Sequence, residues 1–531
     1  MSLCLTMQQE KEIDSIFHRW QKGLCPGGQV LVRRKGEVIY DKSFGYANLE
    51  HKIPVGENTV FHVASVSKQV TVLSLLLLAE EGRVCLTDDI RDYAPELILF
   101  REPVTLYDLV HNISGIRDQW ELLMIRGVRI DDTITMEDLK RMISMQTILN
   151  FEPGSQYMYS NSNFTLIARV VEKVSGLNLR EFAAQRIFAP LGMDHTCIKT
   201  AYTQVIPGRA YSYDDDGEGT FTYHPINYSA YGATSLHTTV HDLMKLLENY
   251  KNPTICRKET VEKMMERPVL ADGSRSIYGG GLMLGEYEGH PFLEHGGVDA
   301  AYRAHTIRFY DPEDDLDIAI VSNTQNTIPG VAARQIARVV LGLEEEKPQH
   351  QQYLLEQAPQ QEETGAYWAE EPSLACFTVC RDQEGQLHLG EENGTTLHPV
   401  EGNCYRIGYL EDVIYLGKEK AACQMGANLY PLVKVDTASQ DTDFLLEYEG
   451  TYQSDEVDTR YFITEEEGFL YVSHTRHGKG RLYPLGRDQY GVQIGGLTLR
   501  LTFTRGSGNR VTGLVMDGGR VQHLGFTREE M

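Results

Sequence analysis

Residues 61–82 read FHVASVSKQVTVLSLLLLAEEG. The run over residues 70–79 is apolar on nearly every side, so as a helix it has to be buried, and Gly82 supplies its stop. At its head stand Ser65 and Lys68, a spacing that puts both side chains on one helix face with Cβ atoms about 5–6 Å apart. A helix beginning at Ser65 would hold that hydroxyl at the positive end of its dipole, where a developing oxyanion is favoured. Burial disfavours charged lysine, by up to roughly 3–5 pKa units when complete. A neutral lysine within reach of a serine is a general base for a nucleophile. The pair alone decides nothing, because roughly one S-x-x-K arises by chance in a chain of this length and a serine at a helix start is commonly a cap.

The neighbouring sequence supplies a frame. After a helix near residues 7–22, GGQVLVRRKGEVIYDKSFGYAN (27–48) alternates apolar and polar residues about a Lys35-Gly36 turn, as a β-hairpin does. PVTLYDLVHNISGIRD (103–118) opens a mostly helical middle section that includes NFTLIARVVEKVSG (163–176), apolar at helical spacing up to Gly176. From residue 278 strands return as YGGGLMLGEY, AYRAHTIRFYD and LDIAIVSNT, followed by the helix IPGVAARQIARVVLG. A sheet made from both ends of a domain with helices between is an α+β layer architecture.

Two further groups follow the Ser65-Lys68 pair. FEPGSQYMYSNSNF (151–164) places Tyr159 and Asn161 in a turn between a Pro153-Gly154 loop and a helix, from which both would project into the cleft that the loop borders. LEHGGVDAAYR (293–303) opens a strand with His295-Gly296-Gly297, whose glycines let a substrate approach the backbone. Y-x-N recurs at Tyr46 and Tyr250, and H-x-G at His388 and His523, so neither is specific alone.

Taken in order inside one α+β domain, the three groups resemble the serine β-lactamase and penicillin-binding-protein-like superfamily, in its class C branch. YGATSLHTTVHDLMKL (231–246) and YGGGLMLG (278–285) add to the resemblance, which covers residues 10–343 or so. It implies a β-lactamase/transpeptidase-like α/β/α sandwich with a helical subdomain. It implies Ser65 as nucleophile, Lys68 as its partner, and Tyr159 as a second proton-transfer group that protonates the leaving group. Asn161 would hold the acyl-side amide of the substrate. The backbone N–H groups of Ser65 and Val298, the latter just after Gly297, would form the oxyanion hole. His295 stands where class C β-lactamases carry the lysine of K-T-G. A histidine titrating near neutrality would be a weaker, pH-dependent anchor for a carboxylate, and this form resembles peptidases, amidases and esterases more than β-lactamases.

Residues 344–363 are acidic, glutamine-rich and carry two prolines, which is linker chemistry. Beyond them the chain reads as short strands with an internal repeat: Gly365-Ala366-Tyr367, Gly385-Gln386-Leu387 and Leu397-His398-Pro399 return as Gly450-Thr451-Tyr452, Gly468-Phe469-Leu470 and Leu482-Tyr483-Pro484. Two similar antiparallel barrels, lipocalin-like, suit this better than two halves of one. The expected division is a hydrolase domain over 1–343, a linker over 344–363, and barrel repeats over 364–440 and 441–531. This order resembles the D-aminopeptidase architecture, in which a loop of the last barrel helps select a free amino terminus. The corresponding stretch here, SHTRHGKGR (473–481), is basic and holds no carboxylate. It reads as a solvated hairpin tip or as an attractor of an acidic substrate group.

Composition narrows the partners. A net charge of −25 disfavours nucleic acid and anionic membrane surfaces, which call for a basic footprint. The nine cysteines are scattered without metal-ligand spacing, as in a reduced cytoplasmic protein, and the N-terminus lacks the basic start and long apolar stretch of a signal peptide. An alternative stays open in which MSL stands in place of a cleaved export signal. No metal or cofactor is implied. The expected partner is a small-molecule or short peptide substrate, with a homodimer left open. The leading function is a serine hydrolase forming an acyl-enzyme on Ser65 and cleaving an amide, peptide or ester bond, plausibly of D-configuration. A β-lactamase or D-alanyl-D-alanine carboxypeptidase, or a non-catalytic receptor for peptides or wall fragments, are the alternatives.

Overall fold

Lys35 and Gly36 both adopt positive φ, 50° and 83°, the backbone that a two-residue hairpin turn needs to follow strand twist. They join strand β1 (Gly28–Arg34) to β2 (Glu37–Phe44), and the hairpin is completed into a six-stranded antiparallel sheet by β3 (Met283–Tyr287), β4 (His290–Asp299), β5 (Tyr302–Phe309) and β6 (Leu316–Ser322). The order is β3-β4-β5-β6-β1-β2, so the first strands of the domain close on the last. β1 pairs with β6 from Gly28 opposite Ser322 to Arg34 opposite Leu316. This computed structural model describes residues 4–97, 100, 102–129, 131–217, 219–343, 363–369, 376–390, 395–407, 413–417, 421–425, 428–435 and 442–530.

Helices α1 (Met7–Ile16) and α5 (Pro329–Leu341) cover one face of the sheet, where Ile13, Phe17 and Trp20 meet Val30, Val32, Ile318, Ile320 and Ile336. Between the two halves of the sheet the chain builds α2 (Ser67–Glu80), α3 (Asn161–Ser175) and α4 (Val240–Lys251). α2 is buried at every position from Ser67 to Leu78, as its all-round apolar sequence demands, and it packs against α3. It begins at Ser67 rather than Ser65, because residues 64–66 form a separate 3₁₀ turn entered through Ala64 at φ 47°.

The chain divides into two compact units, residues 1–116, 133–140 and 151–345 in the first, and 117–132, 141–150 and 346–531 in the second. The linker expected at 344–363 lies outside the described residues except for Glu363.

In the second unit eight strands, from Gly365–Ala369 round to Asn428–Val435, close into an antiparallel barrel. A separate nine-stranded sheet follows, and its two end strands, Gly478–Arg481 and Tyr483–Gly486, are separated in sequence only by Leu482, so the sheet all but closes. The sequence repeat is a structural one. Tyr367 donates to the Glu363 carbonyl at 3.0 Å and Tyr452 to the Tyr448 carbonyl at 2.7 Å, both rings fully buried. Leu397 and Leu482 are core residues, and β-bulges fall at Pro399 and Pro484.

Residues 117–132 and 141–150 fasten to the nine-stranded sheet within this unit. The buried Arg117 guanidinium donates to Gln146, the Gln522 carbonyl and Glu456. The Asn150 side chain bonds the Arg520 carbonyl and the Gln522 N–H. The 473–481 stretch keeps an exposed tip at residues 475–476 and 478–479, but Arg476 and Lys479 there are engaged by neighbouring carboxylates. Arg476 forms a two-pronged pair with Asp132 at 2.7 Å, His477 bonds the Met124 carbonyl at 2.6 Å, and Lys479 is held by Glu466 over the Tyr471 ring.

Candidate active site

The site is assembled where the turn before α2, the N-terminus of α3 and the strand β4 meet. Lys68, wholly buried in the first turn of α2, directs Nζ to three oxygens: Ser65 Oγ at 3.0 Å, Asn161 Oδ1 at 2.8 Å and the Ala233 carbonyl at 2.7 Å. Ser65 itself is half-buried. Ser67, the other serine of the stretch, is committed to structure: it donates to the Ala64 carbonyl and accepts from Leu236 N at 2.9 Å, pinning the turn to the strand at Leu236–Thr238.

Tyr159 and Asn161 enter through a turn that the 111–115 loop holds from beneath. Asn112 takes the Ser160 N–H at 3.1 Å and the Asn163 amide at 2.9 Å on its side-chain oxygen, and the Met158 N–H at 3.0 Å on its carbonyl. The Tyr159 ring centroid lies 4.9 Å from Lys68 Nζ and 6.2 Å from the centre of the His295 ring.

β4 closes the site by direct backbone packing. A Cβ built at Gly297 would stand 2.2 Å from the Val63 carbonyl oxygen and 3.3 Å from the Ala64 Cβ, so only glycine lets the strand lie against the nucleophile turn. The next residue, Val298, is 68% exposed. Ser65, Lys68 and Asn161 are thus in direct contact, and Tyr159, His295 and Gly297 border them. Among the described residues no group of three or more His, Cys, Asp or Glu side chains is placed to hold a metal ion.

Known proteins resemble the chain over the residues that build this site. The family described as Beta-lactamase matches residues 13–342, well over half of the chain. The chain belongs to the Beta-lactamase family. It is 30% identical over 320 residues to a D-aminopeptidase of Gluconobacter oxydans, a match covering 60% of this chain and 59% of that relative, about three fifths of its length. A D-aminopeptidase of Cereibacter sphaeroides is 25% identical over 528 residues, covering 95% of this chain and 96% of the relative. Among solved structures, the octameric penicillin-binding protein homologue from Pyrococcus abyssi superposes with a TM-score of 0.58 at 22% identity, over 92% of this chain and 98% of that one, a likeness of fold.

For a member of this family the state of His295 departs from expectation. The ring is 2% exposed, not at a solvated rim. Burial, with the neighbouring Lys68 adding to it, pushes the imidazole down to about 3, so it is neutral throughout the physiological range and is no titrating cationic anchor. The tautomer follows from its partners. The Gly296 carbonyl, 2.7 Å from Nδ1, can only accept, so Nδ1 carries the proton and the bare Nε2 takes the Tyr278 hydroxyl at 3.0 Å.

Tyr278 is the residue that sequence reasoning left without a part. Fully buried, it stacks on Tyr157 at 5.8 Å and meets Tyr159 edge-on at 6.0 Å, with its hydroxyl spent on His295. The signal was present in YGGGLMLG, whose Gly281 packs on the Lys68 backbone: an added Cβ would lie 2.9 Å from its carbonyl oxygen. The Ala233 carbonyl, the third acceptor of Lys68, carried no side-chain signal at all.

Proposed function

We propose that the protein is a serine hydrolase that forms an acyl-enzyme on Ser65 and cleaves the amide bond of D-configured aminoacyl substrates, as a D-aminopeptidase or amidase. The observation that carries this reading is the placement of Lys68 Nζ 3.0 Å from Ser65 Oγ in a buried first turn, where Asn161 Oδ1 and the Ala233 carbonyl hold it in place. Family membership and the D-aminopeptidase relatives support the enzyme class and the substrate class.

In this reading Ser65 attacks the carbonyl, and Lys68 with Tyr159 takes its proton and returns it to the leaving amine. Asn161, tethered to Lys68, orients the acyl side. The N–H groups of Ser65 and Val298 receive the oxyanion. The neutral His295–Tyr278 pair offers no fixed positive charge, which speaks against a site built around a substrate carboxylate, as in a β-lactamase or a carboxypeptidase.

A reducing, cytoplasmic setting is the one this reading expects, in keeping with nine cysteines scattered along the chain without paired spacing. Among the described residues no helix is long and apolar enough to cross a membrane. Short peptides are the partners this reading expects, and self-association is a matter for light scattering.

Labelling by a fluorophosphonate and turnover of paired D- and L-aminoacyl p-nitroanilides test the proposal. Ser65→Ala should abolish labelling and lower kcat/KM by at least about a thousandfold. Equal turnover of both enantiomers removes the D-stereospecific part, rapid clearance of nitrocefin favours a β-lactamase, and labelling that survives Ser65→Ala sinks the assignment of the nucleophile.

A further inference from the structure

Side chains alternate along β4, so His295, Gly297 and Asp299 share the face that meets the nucleophile turn. His295 bonds Tyr278, Gly297 abuts Val63, and Asp299 faces His62, three residues before Ser65. Asp299 Oδ2 accepts from Thr234 Oγ1 at 3.0 Å and from the Tyr228 hydroxyl, and lies 3.1 Å from His62 Nε2. Thr234 directly follows Ala233, whose carbonyl holds Lys68, so two of the residues that bond the carboxylate lie one position from Ala233 and three from Ser65.

Every hydrogen bond this carboxylate accepts among the described residues falls on Oδ2, and its side chain remains 18% exposed. His62 is its sole ion-pair partner among them, while buried Lys199 turns to the Ile226 carbonyl at 3.3 Å instead. Burial would drive the Asp299 carboxyl upward, but the bonds from His62, Tyr228 and Thr234 outweigh it and hold the group below the ordinary carboxylate range.

The strand therefore presents two unlike ends. His295 and Asp299 are four positions apart, about 13 Å, with the Val298 N–H between them. His295 adjoins Tyr159, the group that would protonate the leaving amine, so the leaving group belongs at the neutral end and the acyl group at the carboxylate end. We propose that Asp299 is a specificity-determining residue whose Oδ1 receives the ammonium of the free amino terminus on the acyl side of the substrate. This rests on the acyl-enzyme reading above. It locates amine selection in β4, where the 473–481 stretch offers no carboxylate.

The test compares p-nitroanilides of D-alanine and D-lactate, which differ in carrying an ammonium or a hydroxyl. The wild-type protein should favour the alanyl substrate in kcat/KM by about tenfold to a hundredfold, and Asp299→Asn should bring that ratio to near unity. A purely structural role would lower both substrates together and leave the ratio intact, which overturns the inference. If the Asn variant does not fold, Asp299→Glu carries the test: the displaced charge should shrink the ratio severalfold, and an unchanged ratio overturns the proposal. If wild-type protein cleaves both anilides equally, the acyl-enzyme reading stands and only this inference falls. If it cleaves neither, that reading falls and takes the inference with it.

Discussion

His295 illustrates how burial rewrites the chemistry that a residue type suggests. It shares its fate with two further buried histidines, His111 and His237. Burial pushes His111 down to about 4 and His237 well below its ordinary value, the latter with help from neighbouring His62. Each unfolded imidazole binds a proton near pH 6.5, whereas the folded one refuses it until far lower pH. Stability is therefore level above about pH 6.5 and falls as the pH drops towards the folded values, by about 2 kcal/mol per histidine at pH 5. Glu121 acts in the opposite sense, since burial and Asp118 raise its carboxyl to about 7, so protonation in acid relieves a cost. Comparing wild type with His295→Gln isolates one contribution. The difference in unfolding free energy between pH 7 and pH 5, read from urea melts, should shrink by about 2 kcal/mol in the variant. An unchanged difference would mean that the ring is not held neutral.

At the scale of elements, the packing of β4 on the 62–65 turn is what turns two distant segments into one site. Gly297→Ala would put a Cβ 2.2 Å from a backbone oxygen that no side-chain rotation can move. We expect about 2 kcal/mol of lost stability and about a hundredfold loss of kcat/KM, beyond what the folded fraction explains, because misplacing the oxyanion donor by about 1 Å carries that cost. Activity that simply tracks the folded fraction in a paired melt and assay would show that β4 does not set the geometry. The elements themselves were legible wherever local chemistry was strong. Lys35-Gly36 announced the first hairpin, Gly176 ended α3, and the all-apolar run made α2 a buried helix. The 3₁₀ turn that delays α2 to Ser67 was not legible, because an alanine at φ 47° leaves no mark in sequence: tertiary packing imposes it, and propensity opposes it. The burial of His295 was hidden for a similar reason, since Tyr278, which packs against it, comes from a different stretch of chain.

At the scale of the molecule, a family resemblance that runs unbroken over residues 13–342 conceals a change of allegiance. Residues 117–132 and 141–150 belong by contact to the second unit, where helix Gln119–Ile125 buries Leu122, Leu123 and Ile125. Glu121 accepts the Gly519 N–H at 2.7 Å together with that of Arg520, and the Arg117 guanidinium, wholly buried, lies 3.2 Å from Glu456. Periodicity could identify the helix, but the partners of its apolar face lie more than three hundred residues away, and nothing in a local window points to them. A chain ending at residue 343 keeps the Ser65, Lys68, Tyr159, Asn161 and His295 constellation yet strips these segments of their partners. Arg117 would then lose its counter-charge, and breaking a buried pair in this way costs about 3–5 kcal/mol, before the exposure of three apolar side chains is counted. The truncated chain should bind the dye ANS strongly and melt well below the full-length protein. Adding Arg117→Leu, which removes the orphaned charge, should recover part of the loss in the truncated chain while destabilising the full-length one. A truncated chain that melts as cooperatively and as high as the full protein would show that residues 117–150 fold without the second unit.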